Sequence, residues 1–292
     1  MSNPELLAAY FTLAGDIYPY GPEHVSPFGF KARVEAAAKA GYKGLGFFTD
    51  DVYAIADYIG FTEMKRILDA NDIRHVELEF LIDWFLDGER REMSDKVRRL
   101  MLDAAGALGA RAIKIGPGVG ADINNPTEAE LTPNIPLMQD AFGTLCRDAA
   151  AVDTSIAMEL MPFGNVRTVD VGLAIVEGAN QPNGGLDIDV WHVTRGGNDY
   201  ADLARIPARY MVCVELNDAA AEVQGTLWED TAHHRRLCGE GDWDLPGFIA
   251  NVKKTGFTGP WGVEIISRVH RKLPLAEAAN RSFNTAFAQF AD

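Results

Sequence analysis

Gly185-Leu186-Asp187-Ile188-Asp189-Val190-Trp191-His192 reads as a buried strand running into a polar tip. Side chains alternate along extended backbone, so Asp187 and Asp189 share one face while Leu186, Ile188 and Val190 share the other. His192 falls just past the strand end, three residues after Asp189. Burying an unpaired carboxylate is costly, so the charged face needs a metal ion, another cation or water. The plainer reading is an edge strand with a solvated face.

The pattern recurs, which weighs against an edge strand. Ser155-Ile156-Ala157-Met158-Glu159-Leu160, Met211-Val212-Cys213-Val214-Glu215-Leu216 and Trp261-Gly262-Val263-Glu264-Ile265-Ile266 each carry one glutamate near the C-terminal end. Two positions before each glutamate stands a small residue: Ala157, Cys213 or Gly262. Four strands thus point Glu159, Asp189, Glu215 and Glu264 in one sense above a narrow floor, as a barrel lumen requires.

The chain of 292 residues, 47% apolar, supports one large core. It holds no apolar run of membrane-spanning length, and Met1-Ser2-Asn3-Pro4-Glu5 has no signal-type character. Cys146, Cys213 and Cys238 are odd in number and far apart, so a reducing, cytoplasmic setting without disulfides is expected. A net charge of −15 opposes nucleic acid and anionic membrane surfaces as partners. A small-molecule substrate is expected, and homo-oligomerisation stays open.

Strand and helix signals alternate along the whole chain. Strands are expected at Leu6 to Leu13, Gly44 to Phe48, His75 to Leu81 and Ala112 to Ile115, ahead of the four carboxylate strands. Helical spacing follows each, for example Phe28 to Ala40 ending at Gly41, Val52 to Ala70 ending at Asn71, and Arg90 to Leu108 ending at Gly109. Asn125 to Pro133 and Asn217 to Asp242 read as loops. Eight such units imply a closed (β/α)8 TIM barrel, a single α/β domain over residues 1–292. An open doubly wound sheet is the alternative, disfavoured because no glycine-rich phosphate fingerprint follows the first strand.

Active sites of such barrels lie at the C-terminal strand ends. Four convergent carboxylates suit a hard divalent ion, Mn2+ or Mg2+, whereas zinc would normally bring histidine or cysteine. Lys114, at a strand end, is a candidate for a substrate oxyanion or for a salt bridge to Glu79 or another lumen acid. Arg167, Arg195, Arg236 and Arg268 follow ligand strands, and Arg236 is taken as a candidate substrate contact. Trp84, Trp191, Trp243 and Trp261 are candidates for pocket wall or plain core, and His233-His234 for a solvated loop. Asp187 and Asp218 are candidates for supporting the ligands or holding loop amides.

Several motifs carry a resemblance: Met158-Glu159, Asp189-Val190-Trp191-His192, Val214-Glu215-Leu216-Asn217-Asp218, Gly239-Glu240-Gly241-Asp242-Trp243-Asp244 and Gly262-Val263-Glu264-Ile265. With them the chain resembles the xylose isomerase-like superfamily, in its sugar phosphate isomerase/epimerase group. Members like the ketose 3-epimerases have histidine where Glu215 stands, so this site is all-carboxylate, closer to xylose isomerase proper.

The resemblance implies a metal-dependent isomerase or epimerase acting on a sugar or keto-sugar through a metal-stabilised enediolate. In it Glu159 and Glu264 would double as ligands and proton carriers, with Asp189 and Glu215 chiefly holding the metal. His192 would bind a substrate oxygen or orient Asp189. The same enolate chemistry also serves the superfamily's dehydratases and C-glycoside-cleaving relatives, so a lyase is the alternative. A catalytically silent barrel is a further one.

Overall fold

The computed structural model of the chain describes residues 3–291. Eight parallel strands close into a barrel in sequence order: β1 (Leu6–Ala8), β2 (Gly44–Phe48), β3 (His75–Leu81), β4 (Ala112–Ile115), β5 (Ser155–Glu159), β6 (Gly184–Asp189), β7 (Met211–Leu216) and β8 (Trp261–Val263). β8 pairs back onto β1, so no edge is left to solvate a charged face. The fold is the (β/α)8 barrel expected from the alternating units.

The helices cover the barrel because their apolar stripes match the outward strand faces. Phe30–Ala40, Thr49–Ala70, Gly88–Leu108, Ile135–Ala150, Val169–Ala179, Leu245–Lys254 and Leu275–Ala288 form most of the outer layer, with short helices Val190–Arg195 and Tyr200–Leu203 after β6. Gly41 ends the first of them in the left-handed region, at φ 119°, and its N–H caps the carbonyls of Ala37 and Ala38.

Two local expectations are corrected. The run Leu6 to Leu13 is not one strand: β1 stops at Ala8 and Tyr10–Leu13 is a helical turn. Thr12 there bonds the barrel, donating to the Val263 carbonyl at 2.6 Å and accepting from the Ile265 amide at 2.9 Å. A continuous apolar run does not distinguish strand from buried helix. The expected loops at 125–133 and 217–242 each hold a helix, Glu128–Leu131 and Leu227–His233, started by the capping boxes Thr127/Glu130 and Thr226/Glu229.

Register decides which side chains enter the lumen. Residues paired across parallel strands face the same way, and here Glu159 pairs with Asp187, Asp189 with Glu215, and Glu215 with Gly262. Between β6 and β7 the register shifts: Leu186 pairs with Met211, but Asp187 pairs with Cys213. Val212 is thus an extra, bulged residue, and it brings Cys213 and Glu215 into phase with Asp187 and Asp189. Arg111 satisfies the bulge, donating from Nη2 to the Val212 carbonyl at 2.7 Å. Below the carboxylates, Ala112, Ala157 and Cys213 pack as a floor of small side chains.

Gly262 leaves the space that the Glu215 side chain fills. A Cβ there would lie 2.8 Å from Glu215 Cγ and 3.0 Å from the Val214 carbonyl oxygen. Gly262→Ala should therefore cost about 1–3 kcal/mol of stability, as overpacked core sites do. Denaturant unfolding measures it, and a loss below about 0.5 kcal/mol would mean that Glu215 is not confined there.

Candidate metal centre and active site

The four strand-end acids meet at one point. Glu159 ends β5, Asp189 ends β6, Glu215 lies in β7 and Glu264 follows β8; each offers an oxygen within 4.8 Å of the others. All four are buried. Asp189 is held by the start of helix Val190–Arg195: its Oδ1 accepts from the Trp191 amide at 2.6 Å and from Asn217 Nδ2 at 2.9 Å. His192, on that helix, places Nε2 3.1 Å from Glu159 Oε1.

Two buried cations brace the acids. Arg235 donates from Nη1 to Asp189 Oδ2 at 2.5 Å and to Glu264 Oε2 at 2.8 Å. Thr231 Oγ1 accepts from its Nε and Nη2, and the Trp191 ring lies 5.5 Å beneath the guanidinium. Lower in the lumen, Lys114 Nζ lies 2.5 Å from Glu215, 3.3 Å from Glu77, 3.5 Å from Glu79 and 3.7 Å from Asp187. Arg111 holds Glu77 from below at 2.5 Å.

Burial and charge together set the protonation of these groups. Burial works against charge on Asp189, but Arg235, His192 and the hydrogen bonds from Asn217 and Arg235 outweigh it and hold this carboxyl below its ordinary range. Burial pushes Glu215 well above that range, against the attraction of Lys114. Burial does the same to Glu264, against Arg235. Burial also opposes the Lys114 ammonium, yet Glu215, Glu79, Asp187 and Glu77 outweigh it and keep it charged.

Glu159, His192, Lys114, Glu215, Glu264 and Arg235 line one cavity of about 390 Å³, and Asp189 lies directly behind Arg235. Arg236 is not brought to this cavity. Consecutive residues of an extended segment point opposite ways. The Arg236 side chain turns outward to the Glu240 carbonyl at 3.4 Å, while its backbone pairs with Asp218. Its neighbour Arg235, which sequence reasoning passes over, takes the inward place. Trp84, Trp191 and Trp261 are core; Trp228, on helix Leu227–His233, is the tryptophan that lines the cavity.

Asp218 explains the Gly239-to-Trp243 motif. Its carboxylate accepts from the amides of Ala219, Gly239, Gly241 and Trp243 at 2.8–3.3 Å. Gly239 has φ 78°, and a Cβ on Gly241 would overlap the Asp218 carboxylate. Asp218 thus pins the two ends of the segment carrying Arg235.

The profile of the family described as xylose isomerase-like TIM barrel matches residues 34–285. This chain belongs to that family. Its sequence is 28% identical over 250 residues to a 3-dehydroshikimate dehydratase of Pseudomonas aeruginosa, covering 83% of this chain and 37% of the relative. The chain spans only 37–38% of the length of the curated relatives it matches. A crystal structure of the IOLI protein with a bound zinc atom superposes with TM-score 0.82 at 18% identity, covering 98% of this chain and 97% of that one. D-Psicose 3-epimerase, in the presence of D-fructose, superposes with TM-score 0.74 at 14% identity, with 98% of each chain covered. At these identities the two structures share the barrel.

The residues of this xylose isomerase-like barrel fit a divalent ion. The donors are four oxygens from four carboxylates, the ligand type of hard cations. The lumen also carries more acid than base: Glu77, Glu79, Glu159, Asp187, Asp189, Glu215 and Glu264 face Lys114, Arg235 and Arg111. Both Asp187 oxygens are buried without a hydrogen-bond partner.

Burial, and next the Glu215 charge, push the Asp187 carboxyl well above its ordinary range, against Lys114. The folded chain holds this proton where the unfolded chain, titrating near about pH 4, has lost it. The group's contribution to stability is thus complete below about pH 4 and falls as pH rises through the raised folded value. Asp187→Asn removes that loss. Its Tm should exceed that of the unsubstituted chain at about pH 8, and the gap should shrink toward about pH 4. Thermal melts across this range check it; a gap independent of pH counts against a neutral Asp187.

Proposed function

We propose that this chain is a divalent-metal-dependent enzyme that enolises a carbohydrate-like hydroxy-ketone and expels water from it. The observation that carries this is the meeting of four buried carboxylates, one from each of β5, β6, β7 and the end of β8, three of them on the floor of one cavity with Asp189 directly behind Arg235. Mn2+ or Mg2+ held by Glu159, Asp189, Glu215 and Glu264 would polarise the substrate carbonyl as a Lewis acid.

The chain's own residues supply the proton chemistry. Glu159 and Glu264 come from opposite ends of the β5–β8 arc, so each can reach the substrate from its own side. One takes the proton from the carbon beside the carbonyl. The bond from the next carbon to its hydroxyl then breaks, and an acid returns a proton to the departing oxygen as water forms. His192, with Nε2 3.1 Å from Glu159, and Arg235, bonded to Glu264, flank these carboxyls and can donate to substrate oxygens. Lys114 serves as a fixed positive charge under Glu215. Loss of water is favoured over isomerisation by the likeness to 3-dehydroshikimate dehydratases over most of this chain.

Isomerisation or epimerisation is the second reading. Two glutamates facing one substrate carbon suit removal of a proton on one side and return on the other, and the barrel superposes on a ketose epimerase. Incubation of the Mn2+-loaded protein in D2O with 3-dehydroshikimate and, separately, a ketohexose separates the two. Loss of one water from the former supports the lyase; deuterium at the α-carbon of an intact ketose supports the epimerase. Neither event in a protein shown to hold metal sinks both.

Glu159→Gln and Glu264→Gln keep a neutral oxygen but lose the base. Each should lower turnover by about 10²–10⁴-fold, with a much smaller effect on substrate affinity once metal content is matched. Full activity in both variants rules out the two-glutamate mechanism. Glu215→His should retain metal and shift its preference toward Co2+ or Zn2+, read by competitive metal binding.

A further inference from the structure

The cavity changes character along its depth. Its floor is charged: Glu159, Glu215, Glu264, Lys114, His192 and Arg235. Its walls are apolar, with Phe48, Phe80, Ile123, Met161, Phe163 and Trp228 supplied by β2, β3 and the segments after β4, β5 and β7. Trp228 and Phe163 meet edge to face at 5.9 Å, and Tyr20 meets Trp228 in the same way at 5.2 Å. The apolar surface continues to the rim, where Tyr20 is 65% and Met93 59% exposed.

Several polar groups on these walls have partners within the protein. His24 pairs with Asp50 at 3.0 Å and Arg90 with Asp83 at 2.6 Å. Ser94 donates to the Ile82 carbonyl and Thr49 to the Glu79 carbonyl. A free sugar carries hydroxyls along its whole length, and each one buried against such a wall without a partner is penalised. A ring-sized apolar group gains there by leaving water.

Resting on the metal-centred reading above for the head of the substrate, we propose that this site takes a vicinally oxygenated carbonyl compound bearing a ring-sized apolar substituent. The oxygenated head meets the charged floor. The substituent, aromatic in the best case, lies against Phe163, Trp228 and Ile123 and extends toward Tyr20.

Hydroxamates chelate a metal through two adjacent oxygens and so mimic the head. Binding of acetohydroxamate, benzohydroxamate and 2-naphthohydroxamate to the Mn2+-loaded protein is measured by calorimetry. The aryl compounds should bind about 10–100-fold more tightly than acetohydroxamate. Trp228→Ala should remove about tenfold of that preference and leave acetohydroxamate unchanged. Ile123→Ser, on a loop, gives a second variant that need not disturb the helix carrying Trp228.

2-Naphthol, which has the ring but no chelating head, is followed by its own fluorescence with the metal-free protein. If no hydroxamate binds yet 2-naphthol binds and is weakened by Trp228→Ala or Ile123→Ser, the metal reading fails and the apolar subsite stands. Equal affinity for the three hydroxamates overturns the proposal, as does an aryl preference that neither substitution changes. Failure of the hydroxamates together with 2-naphthol binding that is absent or indifferent to both substitutions overturns it as well.

Discussion

An excess of negative charge inside a closed barrel governs this molecule. Seven carboxylates enter one lumen, and three cations are threaded between them so that each touches more than one polar neighbour. Lys114 alone stands within 3.7 Å of four acids. Removing one member of such a network exposes the others to uncompensated burial. Geometry at the rim therefore depends on residues well below it, and the acids whose carboxyls burial pushes above their ordinary range mark where further positive charge would be welcome.

The rim and the walls answer to different physics. Arg235 and His192 are fixed by directional bonds on segments that are themselves tied down, one by Asp218 and its four amides, the other by Asp189 at the start of its helix. The walls are held by ring contacts among Phe163, Trp191, Trp228 and Tyr20. Hydrogen-bonded floor and ring-packed mouth divide the site into a part that orients and a part that accommodates.

Period-two alternation makes the carboxylates readable from the chain alone, because Asp187 and Asp189 stand out against aliphatic neighbours. The spacing of eight strand–helix units makes the barrel readable in the same way. Arg235 has no such signal. It lies in a segment without periodicity, next to Arg236, and only the pairing of Arg236 with Asp218 settles which of the two faces inward. Trp228 did have one: Thr226-Leu227-Trp228-Glu229 is a capping box, which announces the helix that carries it to the mouth. The Lys114 contacts depend on where four separate strands bring their acids, and proximity of that kind is not written in local sequence.

Val212 gives β7 one residue more than its neighbour β6 can pair. That surplus fixes the parity of the strand. With Val212 bulged out of the pairing, Cys213 and Glu215 look into the barrel; were Val212 paired with Asp187 instead, Val212 and Val214 would, and Glu215 would face the helical layer. The difference between an ion-receiving lumen and an oily one thus rests on a single step of register, stabilised by the Arg111 bond to the bulge carbonyl. A slip of one residue in this pairing would be a change of function before it was a change of fold.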